Sequence, residues 1–249
     1  MKTKLYALLA GFLFSITGID ASAQWFNKYT DTRITDFQSI AAPARNKLFF
    51  GSVDTVADPL IDRDVTLKLS TDGANSFSDV FDSGLNDINT FDIQFVTSNI
   101  AFATAANNGA VLKTTDGGAS WVEIGYAGPA LDNYSLYFTS PTTGTVGQSS
   151  GNINGAFFRT TDGGENFTWI DDQNNYSSMR DITFPSAQVG FSSAIEGIIY
   201  KTTDGGLTWI AGTTPVNDDL YGVHFFNTNT GLAVGANGAI IKTTNGGST

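Results

Sequence analysis

The stretch KTTDGGLTW, Lys201 to Trp209, decides the fold, because most of it recurs along the chain. KTTDGGASW runs from Lys113 to Trp121 and RTTDGGENF from Arg159 to Phe167, a looser LSTDGANSF starts at Leu69, and KTTNGGST ends the sequence at Thr249. Its acidic position falls at Asp72, Asp116, Asp162 and Asp204, and as an amide at Asn245, at intervals of 44, 46, 42 and 41 residues. A period in this range marks one supersecondary unit repeated as an array or propeller, so the motif reads first as a building joint.

Other features keep the same beat. Gly109, Gly155, Gly197 and Gly238 each precede a mostly apolar run ending in Lys or Arg: AVLK, AFFR, IIYK and AIIK. Upstream, DIQF, SLYF, DITF and GVHF alternate with period two, which argues strand, and each is followed by a small, glycine-rich run: IAFAT, GTVGQ, VGFSS or GLAVG. Each unit therefore predicts four strands, A to D, with the quoted motif at the C-to-D turn. The expected fold is all-β: a β-propeller of four-stranded blades, five of them recognisable, at about 35–84, 85–130, 131–173, 174–215 and 216–249.

The residue types suit such a turn. Gly-Gly supplies unusual backbone angles, the Asp folds back to accept N–H groups of its own turn, and the Thr two residues earlier adds a second polar cap. The aromatic five residues after the Asp (Trp121, Phe167, Trp209) is expected between neighbouring elements. Burying a Trp is worth roughly 4 to 6 kcal/mol as an upper bound, against about 1 kcal/mol per side-chain to backbone hydrogen bond. A calcium role is disfavoured, since one carboxylate per blade falls short of the ~6 to 8 oxygen ligands that ion takes. No metal and no cofactor are expected.

Composition bounds the rest. MKTK, the apolar LYALLAGFLFSITG and IDASAQ form the basic, apolar and small-residue regions of a signal peptide, 1–23, cleaved after Ala23; the apolar run is too short for an ordinary membrane span. The expected product is secreted, periplasmic or on the cell surface, without a membrane span. Removing Lys2, Lys4 and Asp20 leaves 11 basic and 23 acidic side chains, a net charge of about −12 that repels phosphate backbones, so nucleic acid is an unsuitable partner. With no Cys, disulfides and thiolate chemistry are excluded.

The pattern S/T-x-D-x-G-x-x-W/F is similar to the Asp-box, or bacterial neuraminidase repeat: complete at Thr114 to Trp121, Thr160 to Phe167 and Thr202 to Trp209, weaker at Ser70 to Phe77 (Ala74 for Gly) and at Thr243 (Asn245 for Asp). The fuller pattern, best seen from Val223 to Ser248, resembles the propeller family typified by the photosystem II stability and assembly factor, over roughly Gln24 to Thr249. The resemblance implies boxes on the rim, away from the ligand face, and a non-enzymatic scaffold binding a protein or glycan at the cell surface. It does not carry over the photosystem partner, because the five Arg form no cluster in sequence.

Asp-box propellers also include sialidases and glucan hydrolases, so a glycoside hydrolase or sugar-binding propeller is the alternative. Against a sialidase, Arg33, Arg45 and Arg63 all precede the second unit and Arg159 sits in a box strand. For a glucan hydrolase, which uses a pair of acids about 5 to 10 Å apart, Asp171 with Asp172 or Asp218 with Asp219 are candidates, though adjacent acids in polar loops more often cap turns. His224, the only His, occupies a slot filled elsewhere by Gln94, Tyr137 and Thr183, and is expected to pack between blades or line the channel. No base stands near a Ser to suggest a hydrolase triad.

Because strands alternate in direction, D-to-A and B-to-C loops share the face opposite the boxes. On it are expected Asp132, Tyr134, Asn175, Tyr176, Asp219 and Tyr221, with Glu196 from a B-to-C turn, as a face for a peptide or sugar, unless the tyrosines plug the core. Closure has two readings. Residues 24–30, QWFNKYT, would supply a fourth strand to the last blade, with Trp25 standing as Trp209 does; or the chain is part of a larger propeller, the reading favoured because it ends just before an expected aromatic. The excursion at 54–65 receives no role.

Overall fold

The computed structural model describes residues 36–53, 65–82, 90–105, 109–126, 132–149, 155–170 and 176–248. The leader, the segment 24–30 with Trp25, most of the 54–65 excursion, Asp171, Asp172 and Asn175 lie outside them.

Five antiparallel sheets follow one another along the chain, each a simple meander. The first comprises β1 (Asp36–Ala44), β2 (Lys47–Val53), β3 (Val65–Ser70) and β4 (Ser78–Asp82). The second comprises β5 (Ile93–Phe95), β6 (Ala101–Thr104), β7 (Ala110–Thr114) and β8 (Val122–Tyr126). The third has β9 (Asp132–Phe138), β10 (Gly144–Ser149), β11 (Gly155–Thr160) and β12 (Thr168–Ile170), and the fourth β13 (Met179–Thr183), β14 (Gly190–Ala194), β15 (Ile199–Thr202) and β16 (Ile210–Gly212). The fifth has three described strands, β17 (Leu220–Phe225), β18 (Gly231–Gly235) and β19 (Ile240–Thr243).

The first strands of successive sheets, β1, β5, β9, β13 and β17, lie side by side, and the sheets fan outward from them as the blades of a β-propeller that is not closed among the described residues. In the three middle blades the second strand is covered on both faces, which favours small residues there. β6, β10 and β14 are buried along their whole length, and a Cβ on Gly147 of β10 would already meet Met179 and Ile182 of the next blade at 3.1 Å. The core is accordingly divided into four apolar clusters, one per junction: Phe49, Ile93 and Trp121; Phe102, Leu136 and Phe138; Phe157, Ile182 and Trp209; Phe191, Val223 and Phe225.

A polar stitch near the axis fixes the rotation of one blade against the next. Leu136 N–H donates to Asp92 (3.0 Å), Ile182 N–H to the Ser135 hydroxyl (3.0 Å) and Val223 N–H to Asp181 (2.8 Å). The acceptors are the leading residues of DIQF, SLYF and DITF, so in each of these blades the same strand position takes a backbone donor from the next. Gln94 adds a two-pronged version, its amide accepting from Phe138 N–H and donating to Phe138 C=O.

Candidate functional site

The boxes lie at the C-to-D turns. In the fourth, the Thr202 hydroxyl donates to Asp204 (2.8 Å) and accepts from Gly206 N–H (2.9 Å), while Asp204 also takes the N–H groups of Leu207 and Thr208 and the Thr208 hydroxyl. Gly205 and Gly206 sit at φ of +74° and +84°, a region in which Ala74 of the first box also stands, at +70°. Asp72, Asp116 and Asp162 hold their own turns in the same way, and the amide oxygen of Asn245 accepts from the Thr243 hydroxyl and Ser248 N–H. Donated hydrogen bonds depress the carboxyls. Hydroxyl and N–H of Ser76 and Ser120 hold Asp72 and Asp116 well below the usual range, and the Asn166 N–H and amide bring Asp162 to about 2. Burial pulls Asp204 upward, but the Thr208, Thr202 and Leu207 donors outweigh it and leave it lowered.

Each box is also tied to its surroundings. Its first glycine donates to an A-to-B turn of the same blade, as Gly117 to Asn99 and Gly205 to Gln188, which places the boxes on the A-to-B face. Its carbonyl accepts a cation from the preceding blade: Lys113 to Gly163, Arg159 to Gly205, Lys201 to Gly246. Trp209 stacks on Phe157 of the preceding blade (4.2 Å between centroids) and meets Phe184 edge-on; Trp121 stands likewise against Phe49 and Phe95. Phe167 is only half-buried. At the corresponding level between the fourth and fifth blades lies a cavity of about 620 Å³, lined by Ile199, Phe225 and Ile241 among others. Its lining among the described residues contains no Asp or Glu, and it sits beside the boxes.

The opposite face is built differently. Near the start of the innermost strands the ladder skips one residue at the same place in four blades: Gln38, Tyr134, Arg180 and Tyr221 are the extra residues of β-bulges. A bulge turns its extra side chain out of the regular alternation. In the second blade the equivalent position, just ahead of Asp92, is Phe91. Three of them, Phe91, Tyr134 and Arg180, form a stack crossing the innermost strands. Phe91 lies flat on Tyr134 (4.6 Å, 7° between planes), and the Arg180 guanidinium covers the Tyr134 ring at 4.9 Å.

Of the face residues expected from sequence, Asp132 and Tyr134 open β9, Tyr221 is 37% exposed, and Glu196 and Asp219 meet, Glu196 N–H donating to Asp219 Oδ1 (3.1 Å). Tyr176 differs. It lies in the core against Phe157 and Tyr200, and the true counterpart of Tyr134 and Tyr221 is Arg180, four residues later. The bulge, one residue before DITF, sets the equivalence, and spacing along the loop misassigned it. Arg180, Phe91 and Gln38 were therefore missed, although their place directly ahead of the aligned strands is a usable signal. His224 also departs from expectation. It is exposed and meets Phe226 of its own sheet edge-on, because among the described residues no sheet follows the fifth for it to pack against. Gly155 opens β11, where a Cβ would strike Ser177.

Several acids near this face are hydrogen-bonded within the fold. Asp218 accepts from the Asn237 amide (2.8 Å), and Asp92 and Asp181 form the axial stitch. Withdrawal from water pushes the Asp92 carboxyl up; the same cause, with the nearby negative charge of Asp92, pushes Asp181 up to about 7. Among the described residues no group of three or more His, Asp or Glu is close enough to hold a metal ion.

No protein-family model and no curated protein sequence matches the chain. Among solved structures it is similar to YCF48 from Cyanidioschyzon merolae, at 14% identity and a TM-score of 0.60, with 86% of this chain and 71% of that one covered. It is similar also to the GH74 enzyme of Niastella koreensis (20% identity, TM-score 0.66, 86% and 37% covered) and to the WD40 β-propeller domain of Doa1 (14%, 0.61, 83% and 64%). At these identities the likeness shows the β-propeller fold, and the chain spans little more than a third of the GH74 enzyme's length.

Proposed function

We infer that the chain is an exported, non-catalytic β-propeller scaffold that binds a protein at the cell surface through the face opposite its boxes. One observation carries this reading. Among the described residues two acids of that face are already hydrogen-bonded, Asp219 to Glu196 N–H and Asp218 to the Asn237 side-chain amide, and the face also presents the bulged row of Tyr134, Arg180 and Tyr221. A glycosidase needs two carboxyls free to trade protons and to face each other across a bound sugar. Aromatic and guanidinium groups are instead the side chains enriched where proteins bind proteins. Export rests on the leader sequence, and the Asp-box and assembly-factor resemblance supports a scaffold role.

The competing reading is a carbohydrate-active hydrolase. Incubation with xyloglucan, cello-oligosaccharides and sialyllactose, followed by assay of new reducing ends and free sialic acid, separates the two. The scaffold reading expects no turnover by either the wild type or Asp219→Asn. Turnover by the wild type that Asp219→Asn abolishes would overturn it.

A further inference from the structure

Arg180 is unusual in a chain with net charge −11. Among the described residues its guanidinium has no carboxylate and no hydrogen-bond acceptor; Nε is buried and unpartnered, although the residue as a whole is partly exposed. Leaving a buried donor unmade costs free energy, so such a group calls for an explanation. Its neighbour Asp181 does not provide one, because that carboxyl reaches into the next blade to take Val223 N–H.

The stack shows how the guanidinium is held. Cation–π contact holds the guanidinium over the Tyr134 ring, and Phe91, stacked on Tyr134, holds the platform in place. The in-plane donors are left over. With Nε covered, the accessible edge is the terminal pair of Nη groups, a fork whose geometry matches the two oxygens of a carboxylate. The bulge that turns Arg180 out of β13 aims this fork away from the ladder.

We propose that Arg180, held over the Tyr134 ring that Phe91 backs, is the anchor for a carboxylate of an acidic peptide segment in the partner protein. The proposal rests on the scaffold reading above and names the chemistry of its partner. A peptide fits better than an acidic sugar because both faces of Tyr134 are already covered, by Phe91 and by Arg180. A pyranose would need an open aromatic face to stack on; a carboxylate on a narrow chain needs only the fork and the neighbouring edge of Tyr221, which is exposed.

The test uses the intact protein and fluorescein-labelled tetraglutamate, tetraglutamine and tetragalacturonate, followed by anisotropy. Tetraglutamate is expected to bind and tetraglutamine not. Arg180→Ala should weaken tetraglutamate binding by about tenfold or more, and Arg180→Lys should not restore it, since an ammonium lacks the fork. Should Arg180→Ala fail to fold, the wild-type Arg180 Nε–H resonance, followed by NMR, must shift saturably as tetraglutamate is added. Equal binding of the Glu and Gln peptides, binding indifferent to Arg180, or a stationary resonance overturns the proposal. Binding of tetragalacturonate alone overturns the peptide assignment in favour of an acidic sugar. A protein partner captured on this face equally well by wild type and Arg180→Ala would sink the carboxylate anchor and leave the scaffold reading standing.

Discussion

Inside one box the aromatic and the carboxylate do different work. Trp209, 2% exposed and stacked on Phe157, fills the junction between two blades, so Trp209→Ala is expected to cost about 3 to 5 kcal/mol in urea unfolding. Phe167→Ala should cost clearly less, because Phe167 is only half-buried; equal losses would show that the junctions are not what these aromatics support. Gly118 is a second sensitive point. It sits at φ +87° with the Phe49 ring against the space a Cβ would take, so Gly118→Ala is expected to destabilise by about 2 kcal/mol or more. Asp181 makes stability depend on pH. Its carboxyl is raised to about 7, so the stabilisation it gives is fully present below its ordinary value of 3.8 and is lost as pH rises through about 7. The melting temperature should therefore fall between pH 5 and pH 8. Asp181→Asn keeps an acceptor for Val223 N–H, so its melting curve should be flatter with pH and lie above the wild type at pH 8. Parallel pH profiles for the two proteins would remove Asp181 from this role.

Blades are joined twice, by the axial stitch and by the rim cations. Arg159 donates from one blade to the Gly205 carbonyl of the next, so Arg159→Ala should speed amide exchange in the box at 204–209 while leaving the box at 114–121 unchanged. Uniform acceleration of both boxes would mean that the cation acts on global stability and not on that junction. At this scale the sequence was informative wherever structure is periodic. The boxes, most of the second strands and the junction aromatics repeat at fixed offsets. The bulges were not legible, because one inserted residue leaves the apolar alternation on either side intact. Tyr176 was therefore matched to Tyr134 by loop spacing, while Arg180, on the bulge itself, went unnoticed. The place of His224 depended on whether another blade follows, which its own strand does not encode.

Across the whole molecule the two faces have opposite characters. One carries the boxes, whose side chains are consumed in holding their own turns; the other carries a row of bulged side chains in which aromatic rings and a guanidinium are held with edges to spare. A propeller that binds a protein through the second face should lose binding when that face is altered and keep it when the first is. The most direct measurement places a photo-crosslinking amino acid at Tyr221 on the bulged face or at Leu207 on the box face, both exposed, in the intact producing cells. The account predicts a discrete protein adduct from position 221 and none from 207. Adducts from 207 alone, or none from 221 under conditions where both variants fold, would contradict it.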